Sequence, residues 1–142
     1  MPTPYEDIFY KFNALVEDNE LLSRLSDDEY TELLELFLSK ARSVYFKSCK
    51  KDLNDVDNII KEFNEDLSEQ EQWIIATAMR YIWVERQLFK EEKLRDKIGT
   101  KYYSFHSPAN LIEKLTELKK EAKRSLNEML ISYSFDSFTG FD

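Results

Sequence analysis

A chain of 142 residues is long enough for one domain with an unaided core, and a formal charge of −8, from 28 acidic against 20 basic residues, argues against sequence-independent binding along a phosphate backbone. The single cysteine, Cys49, cannot form an internal disulfide, so folding is expected in a reducing cytoplasm. No apolar run approaches the length of a membrane span, and the polar start Met1-Pro-Thr-Pro4 lacks the basic and apolar parts of a signal peptide, so a soluble protein is expected.

Two glycines, three prolines and apolar residues recurring three and four apart predict an all-α fold. The expected architecture is a helical bundle of about four principal helices, with an extended arm or hairpin between the last two and an extended aromatic tail at the C-terminus. Thr3 is expected to cap the first helix, with Pro4 in its first position and Glu6 closing a capping box; Ile8, Phe9, Phe12, Leu15 and Val16 then line one face. Ser26 and Glu29 repeat the device, flanked by Leu25 and Tyr30 at staple spacing. The stripe Tyr30, Leu33, Leu34, Phe37, Leu38, Ala41, Val44 and Tyr45 makes a second helix.

Between Lys50 and Leu67 the periodicity breaks, and Ile59, Ile60 and Phe63 predict a turn followed by a short helix. Ser68 and Glu71 supply the next capping box. The helix they open carries Trp73, Ile74, Ile75, Ala76, Ala78, Met79, Ile82 and Trp83, apolar nearly all round, and is expected to be the central, most buried element. It turns polar after Val84 and runs to about Lys97, with Gly99 as its stop. Residues 100–106 are rich in β-forming aromatics but too short to make a stable sheet alone, so an extended arm is expected, with Tyr102, Tyr103 and Phe105 at a subunit contact. Ser107 is expected to cap the last helix with Pro108 in its first turn, and Leu111, Leu115, Leu118, Ala122, Leu126, Met129 and Leu130 keep helical spacing to about residue 131. The final ten residues carry Tyr133, Phe135, Phe138 and Phe141 and no basic residue. They are expected to be a partner-docking tail over residues 133–142, appended to a single helical domain over residues 1–132, because that much exposed aromatic surface is costly in water.

Nothing in the chain points to a reaction. The acidic stretch from Asp52 to Asp57 fails as a calcium loop: the fifth position is Val56 counted from Asp52 and Ile59 counted from Asp55, and no glycine supplies the mid-loop turn. His106 is the only histidine, which excludes a site built on two imidazoles. There is no nucleophile elbow and no phosphate loop, so no catalytic residue, metal or cofactor is expected, and the chain is not expected to be an enzyme. Two basic patches exist, Lys47, Lys50 and Lys51, and Lys114, Lys119, Lys120, Lys123 and Arg124. The second alternates with Glu113, Glu117, Glu121 and Glu128, as solvated helix faces do.

The order of these signals carries a resemblance. Pro4-Tyr-Glu-Asp-Ile8, Cys49-Lys-Lys-Asp-Leu53, Phe63-Asn-Glu-Asp-Leu67, Trp83 late in the central helix, Ser107-Pro-Ala-Asn-Leu111 and Leu130-Ile-Ser-Tyr-Ser-Phe135 together resemble small virion proteins of tailed bacteriophages that infect Gram-positive bacteria, the head-to-tail connector (adaptor or neck) components. Pro108 and Phe135 stand where that pattern leads one to expect a polar residue and a tyrosine. The resemblance implies a small helical subunit that assembles into a homo-oligomeric ring, dodecameric by that likeness, beneath the portal protein. It implies portal and tail-side neck or tail-terminator proteins as partners, no sequence-specific nucleic-acid or membrane binding, and a place in the virion neck after assembly in the host cytoplasm. A small acidic phage regulator that binds a host protein is the alternative from a different class, and another neck or tail-terminator component is the alternative within the same one.

Overall fold

In the computed structural model, which describes residues 1–17 and 33–139, the elements run β1 (Thr3–Pro4), α1 (Tyr5–Glu17), α2 (Leu34–Lys40), β2 (Val56–Asp57), β3 (Glu62–Phe63), α3 (Glu69–Ile98), α4 (Thr100–His106) and α5 (Leu111–Thr139). The chain is mostly helical, and α1, α3 and α5 pack as a bundle beside a small antiparallel sheet of order β1-β3-β2. The helix start signals at Ser26 and Glu29 lie outside the described residues. Helix α2 leads into one wide π-helical turn over Ala41–Tyr45, closed by the Phe46 N–H donating to the Ala41 carbonyl at 3.0 Å.

Helix α3 begins as expected. Ser68 Oγ accepts the Glu71 N–H at 3.1 Å, the Glu71 carboxylate accepts the Ser68 N–H at 2.9 Å, and two otherwise orphaned donors are satisfied reciprocally. Its thirty residues span about 45 Å. The first half is the centre of the core: Ile74, Ile75, Ala76, Ala78, Met79 and Trp83 are fully buried against Ile8 and Phe12 of α1, Phe37 and Leu38 of α2, and Leu126 and Tyr133 of α5. Trp83 meets Phe12 edge-on at 6.4 Å. Lys11 ties α1 to the start of α3, donating to Gln72 Oε1 at 2.9 Å and pairing with Glu69 at 3.3 Å.

Helices α3 and α5 lie antiparallel. Gln70 reaches Asp136, Glu71 reaches Tyr133, Glu85 pairs with Lys119, and Leu88 packs on Leu111 and Leu115, so each advance along α3 is matched by a retreat along α5. Leu88, Leu111 and Leu115 form a second, smaller apolar cluster away from the main core.

Five sequence expectations are corrected. Thr3 does not cap α1: its buried hydroxyl donates to the Glu65 carbonyl at 3.0 Å and accepts the Leu67 N–H at 2.9 Å, long-range partners that hold β1 against β3. Pro4 is therefore a strand residue, tolerated because β1 is an edge, and α1 starts at Tyr5. Ile59 and Ile60 do not start a short helix; Asp57 Oδ1 accepts both of their N–H groups, Lys61 turns the chain at φ 59°, and a β-hairpin results. Residues 100–106 are not an extended arm. Gly99, at φ 92°, ends α3 and its carbonyl accepts the Tyr103 N–H at 2.9 Å; Tyr103 then buries its ring and donates to Glu91 at 3.0 Å, which fixes α4 against α3 and overrides the β-propensity of its aromatics.

Ser107 is the end of α4, and the last helix starts at Leu111 after Asn110 takes a left-handed φ of 58°. The C-terminal segment is not extended either, because α5 runs without a break through residue 132 to Thr139. Tyr133 holds it in, packing edge-on against Phe46 at 5.0 Å.

Trp83→Ala is expected to cost about 3 to 5 kcal/mol, the usual loss for emptying a fully buried large aromatic site. Chemical denaturation measures it; an unchanged midpoint would contradict the packing of α3 described above.

Candidate interaction surfaces

Among the described residues, buried polar chemistry is densest around Glu71. Glu71, almost wholly buried in the first turn of α3, accepts hydrogen bonds from Lys51 Nζ at 2.8 Å, from the Ser68 N–H and from the Tyr133 hydroxyl at 2.7 Å. Lys51 also donates to the Asp66 carbonyl. The Tyr133 oxygen accepts the Lys50 N–H at 3.0 Å, and the Cys49 thiol points at Glu71 Oε2 from 3.6 Å.

Burial pushes the Glu71 carboxyl up, but the hydrogen bonds from Lys51, Ser68 and Tyr133 outweigh it and bring it from 4.5 to about 2. Burial raises both the Tyr133 phenol and the Cys49 thiol, and hydrogen bonding to Glu71 adds to the effect. The carboxylate thus stays charged and the phenol and thiol stay protonated. None of the three is poised as a base or nucleophile, and the cluster acts as a clasp joining the 49–51 loop, the start of α3 and the end of α5. Among the described residues no group of three or more His, Cys, Asp and Glu could hold a metal ion, and no helix is long and apolar enough to cross a membrane.

The residues expected at interfaces divide into buried and exposed. Tyr102 and Phe105 of α4 are 56% and 83% exposed, whereas Tyr103 is 6% exposed and faces α3, so the three do not share a surface. Tyr102 and Phe105 flank His106, with ring centroids 4.2 and 5.0 Å from the imidazole, and form an aromatic cap on the turn between α3 and α5. Tyr133 is committed to the core and cannot dock a partner while folded. Phe135, one turn's fraction further on, is exposed and lines a shallow hollow with Leu130, Ile131 and Ser134. The Phe138 side chain and Phe141 lie outside the described residues.

Two surfaces were not legible as sites in the sequence. One is the tip of the β2–β3 hairpin, where Ile59 and Ile60 are exposed. The other is a groove of about 530 Å³ between α3 and α5, floored by Tyr81, Leu88 and Ile131 and rimmed by Lys119, Lys120, Lys123 and Arg124. The basic helix face therefore has an apolar centre, which the alternation of Lys with Glu had concealed. Two adjacent isoleucines directly after Asp57-Asn58 were the available signal for the first, since turn positions seldom carry β-branched residues.

No protein-family model, curated protein or solved structure matches the chain.

Tyr133→Phe is expected to cost about 2 kcal/mol, because it removes a donor from a buried carboxylate and the acceptor of the Lys50 N–H. The pH dependence has a definite sign. Glu71 is more acidic folded than unfolded, so its contribution is complete above about pH 4.5 and is lost as the pH falls towards about 2. Glu71→Gln should flatten the acid limb of a stability against pH curve in that window; an acid limb identical to the parent's would show that the carboxylate does not carry it.

Proposed function

We propose that the chain is a structural subunit of the head-to-tail connector of a tailed bacteriophage, an adaptor that forms a ring beneath the portal, joins capsid to tail and lines the DNA conduit. The observation that carries this reading is the aromatic cap: Tyr102 and Phe105 are held in water on a helix that Tyr103 anchors from beneath. Exposed aromatics on a rigid support suit protein contact, since they offer large area and few rotatable bonds to immobilise. The resemblance of five short segments and Trp83 supports this reading, and an acidic chain suits a conduit wall because it repels passing phosphates. The portal is the first choice of partner for the C-terminal segment from Phe135 onward, including Phe138 and Phe141, and a tail-side protein the second. Tyr133 serves this segment as its anchor in the core.

Peptide mass spectrometry of purified particles tests the reading, with the chain expected at a stoichiometric level. Phe105→Ser and Phe135→Ser should each leave the melting temperature nearly unchanged, because both side chains are exposed, and should reduce incorporation and leave heads without tails. A chain absent from particles but recovered with a host protein would be a regulator instead and would overturn the proposal.

A further inference from the structure

The hairpin joining β2 to β3 presents Ile59 and Ile60 at 91% and 61% exposure. Turns are ordinarily closed by Gly, Asn, Asp or Ser. Here Asp57 closes the turn from its flank, accepting the Ile59 N–H at 2.9 Å and the Ile60 N–H at 3.2 Å, while Lys61 adopts a left-handed φ of 59°. That conformation is strained for a non-glycine residue. The result is an apolar knob whose chain neighbours are mostly acidic: Asp55, Asp57 and Glu62 flank it in sequence, and Lys61 is paired with Glu35 at 2.8 Å.

The groove between α3 and α5 has the inverse character. Its floor is apolar, and its rim carries four cations against one carboxylate, Glu128. Lys119 and Lys120 are shared with Glu85 at 3.6 Å and Glu117 at 3.7 Å, while Lys123 is held over the Tyr45 and Tyr81 rings at 5.4 and 5.1 Å, with Arg124 beside it. With Glu85 and Glu117 offsetting Lys119 and Lys120, the positive character of the groove rests on Lys123 and Arg124 against Glu128, over an apolar seat, on a chain of net charge −8.

We infer that the Ile59–Ile60 knob of one copy seats in the α3–α5 groove of the next, so that the chain associates with itself head to tail. The inference deepens the connector reading and rests on it for the closed ring. Knob and groove belong to different elements of the same chain, so every contact leaves an unused knob at one end and an unused groove at the other; such heterologous contacts make rings when the rotation closes. Copies of an acidic protein repel one another unless the contact brings unlike charges together, and the acids that flank the knob in sequence are unlike Lys123 and Arg124 at the groove. The second copy is thereby favoured over an unrelated apolar partner.

Cysteine cross-linking in a Cys49→Ala background tests the contact. Ile59→Cys and Ile131→Cys, carried on separate chains and mixed at high concentration with oxidised glutathione, should give the mixed dimer about tenfold above either homodimer, the ratio expected when one anchored contact is preferred. A chain carrying both substitutions should give a ladder of oligomers or a closed ring. Adding Lys123→Glu and Arg124→Glu to the groove chain should abolish the preference. Ile59, Ile131, Lys123 and Arg124 are exposed and Cys49 is half-buried, and matching melting curves show that the variants fold. Homodimers as abundant as the mixed dimer, or a preference that survives the charge reversal, would overturn the inference. Particle composition separates it from the connector reading: a chain present in particles that gives no mixed dimer removes this contact alone, and a mixed dimer from a chain absent from particles removes the connector alone.

Discussion

A single buried carboxylate organises the fold. Glu71 belongs to the first turn of α3, where the helix dipole favours negative charge, and it draws in a lysine from the loop after α2 and a tyrosine from far along α5. Removing a charge from water is costly unless its hydrogen-bonding capacity is filled, so the site is stable only when all three segments are in place. The carboxylate therefore sets more than a local cap. It fixes where α5 lies along α3 and how the 49–51 loop closes over the junction.

From that junction α3 serves as the spine. Its early turns are enclosed by α1, α2 and α5, and among the described residues its later turns pack on α4 and the start of α5. The apolar residues follow the same division: aromatic and branched side chains fill the first half, and charged residues occupy most of the second. The small sheet closes the side of the bundle near the N-terminus, with Phe63 at its centre between Thr3 and Val56 and against the Tyr5 ring at 5.2 Å.

What could be read from the sequence was the part that local chemistry decides. Ser68 with Glu71, Gly99 as a stop and the all-round apolar run ending at Trp83 are each determined by neighbours within a few residues. The misses have the opposite character. Thr3 looks like a cap until Glu65 and Leu67 claim its hydroxyl; Tyr102, Tyr103 and Phe105 look extended until Glu91 claims Tyr103; Tyr133 looks like tail until Glu71 and Phe46 claim it. Two-residue strands leave almost no periodic signal, and Ile59 and Ile60 look like the start of a short helix until Asp57 is seen to bond both of their N–H groups. The surfaces follow the same rule: composition announced aromatic residues, and only distant partners decided which of them face water.

The unequal division of the apolar residues along α3 has a mechanical consequence. Local opening free energy follows buried contact, so among the described residues the end from Leu88 onward, held by the Leu88, Leu111 and Leu115 cluster and by Tyr103 on Glu91, is expected to open at lower cost than the end around Trp83. One continuous pair of helices is thus stiff at its root and compliant at its crown.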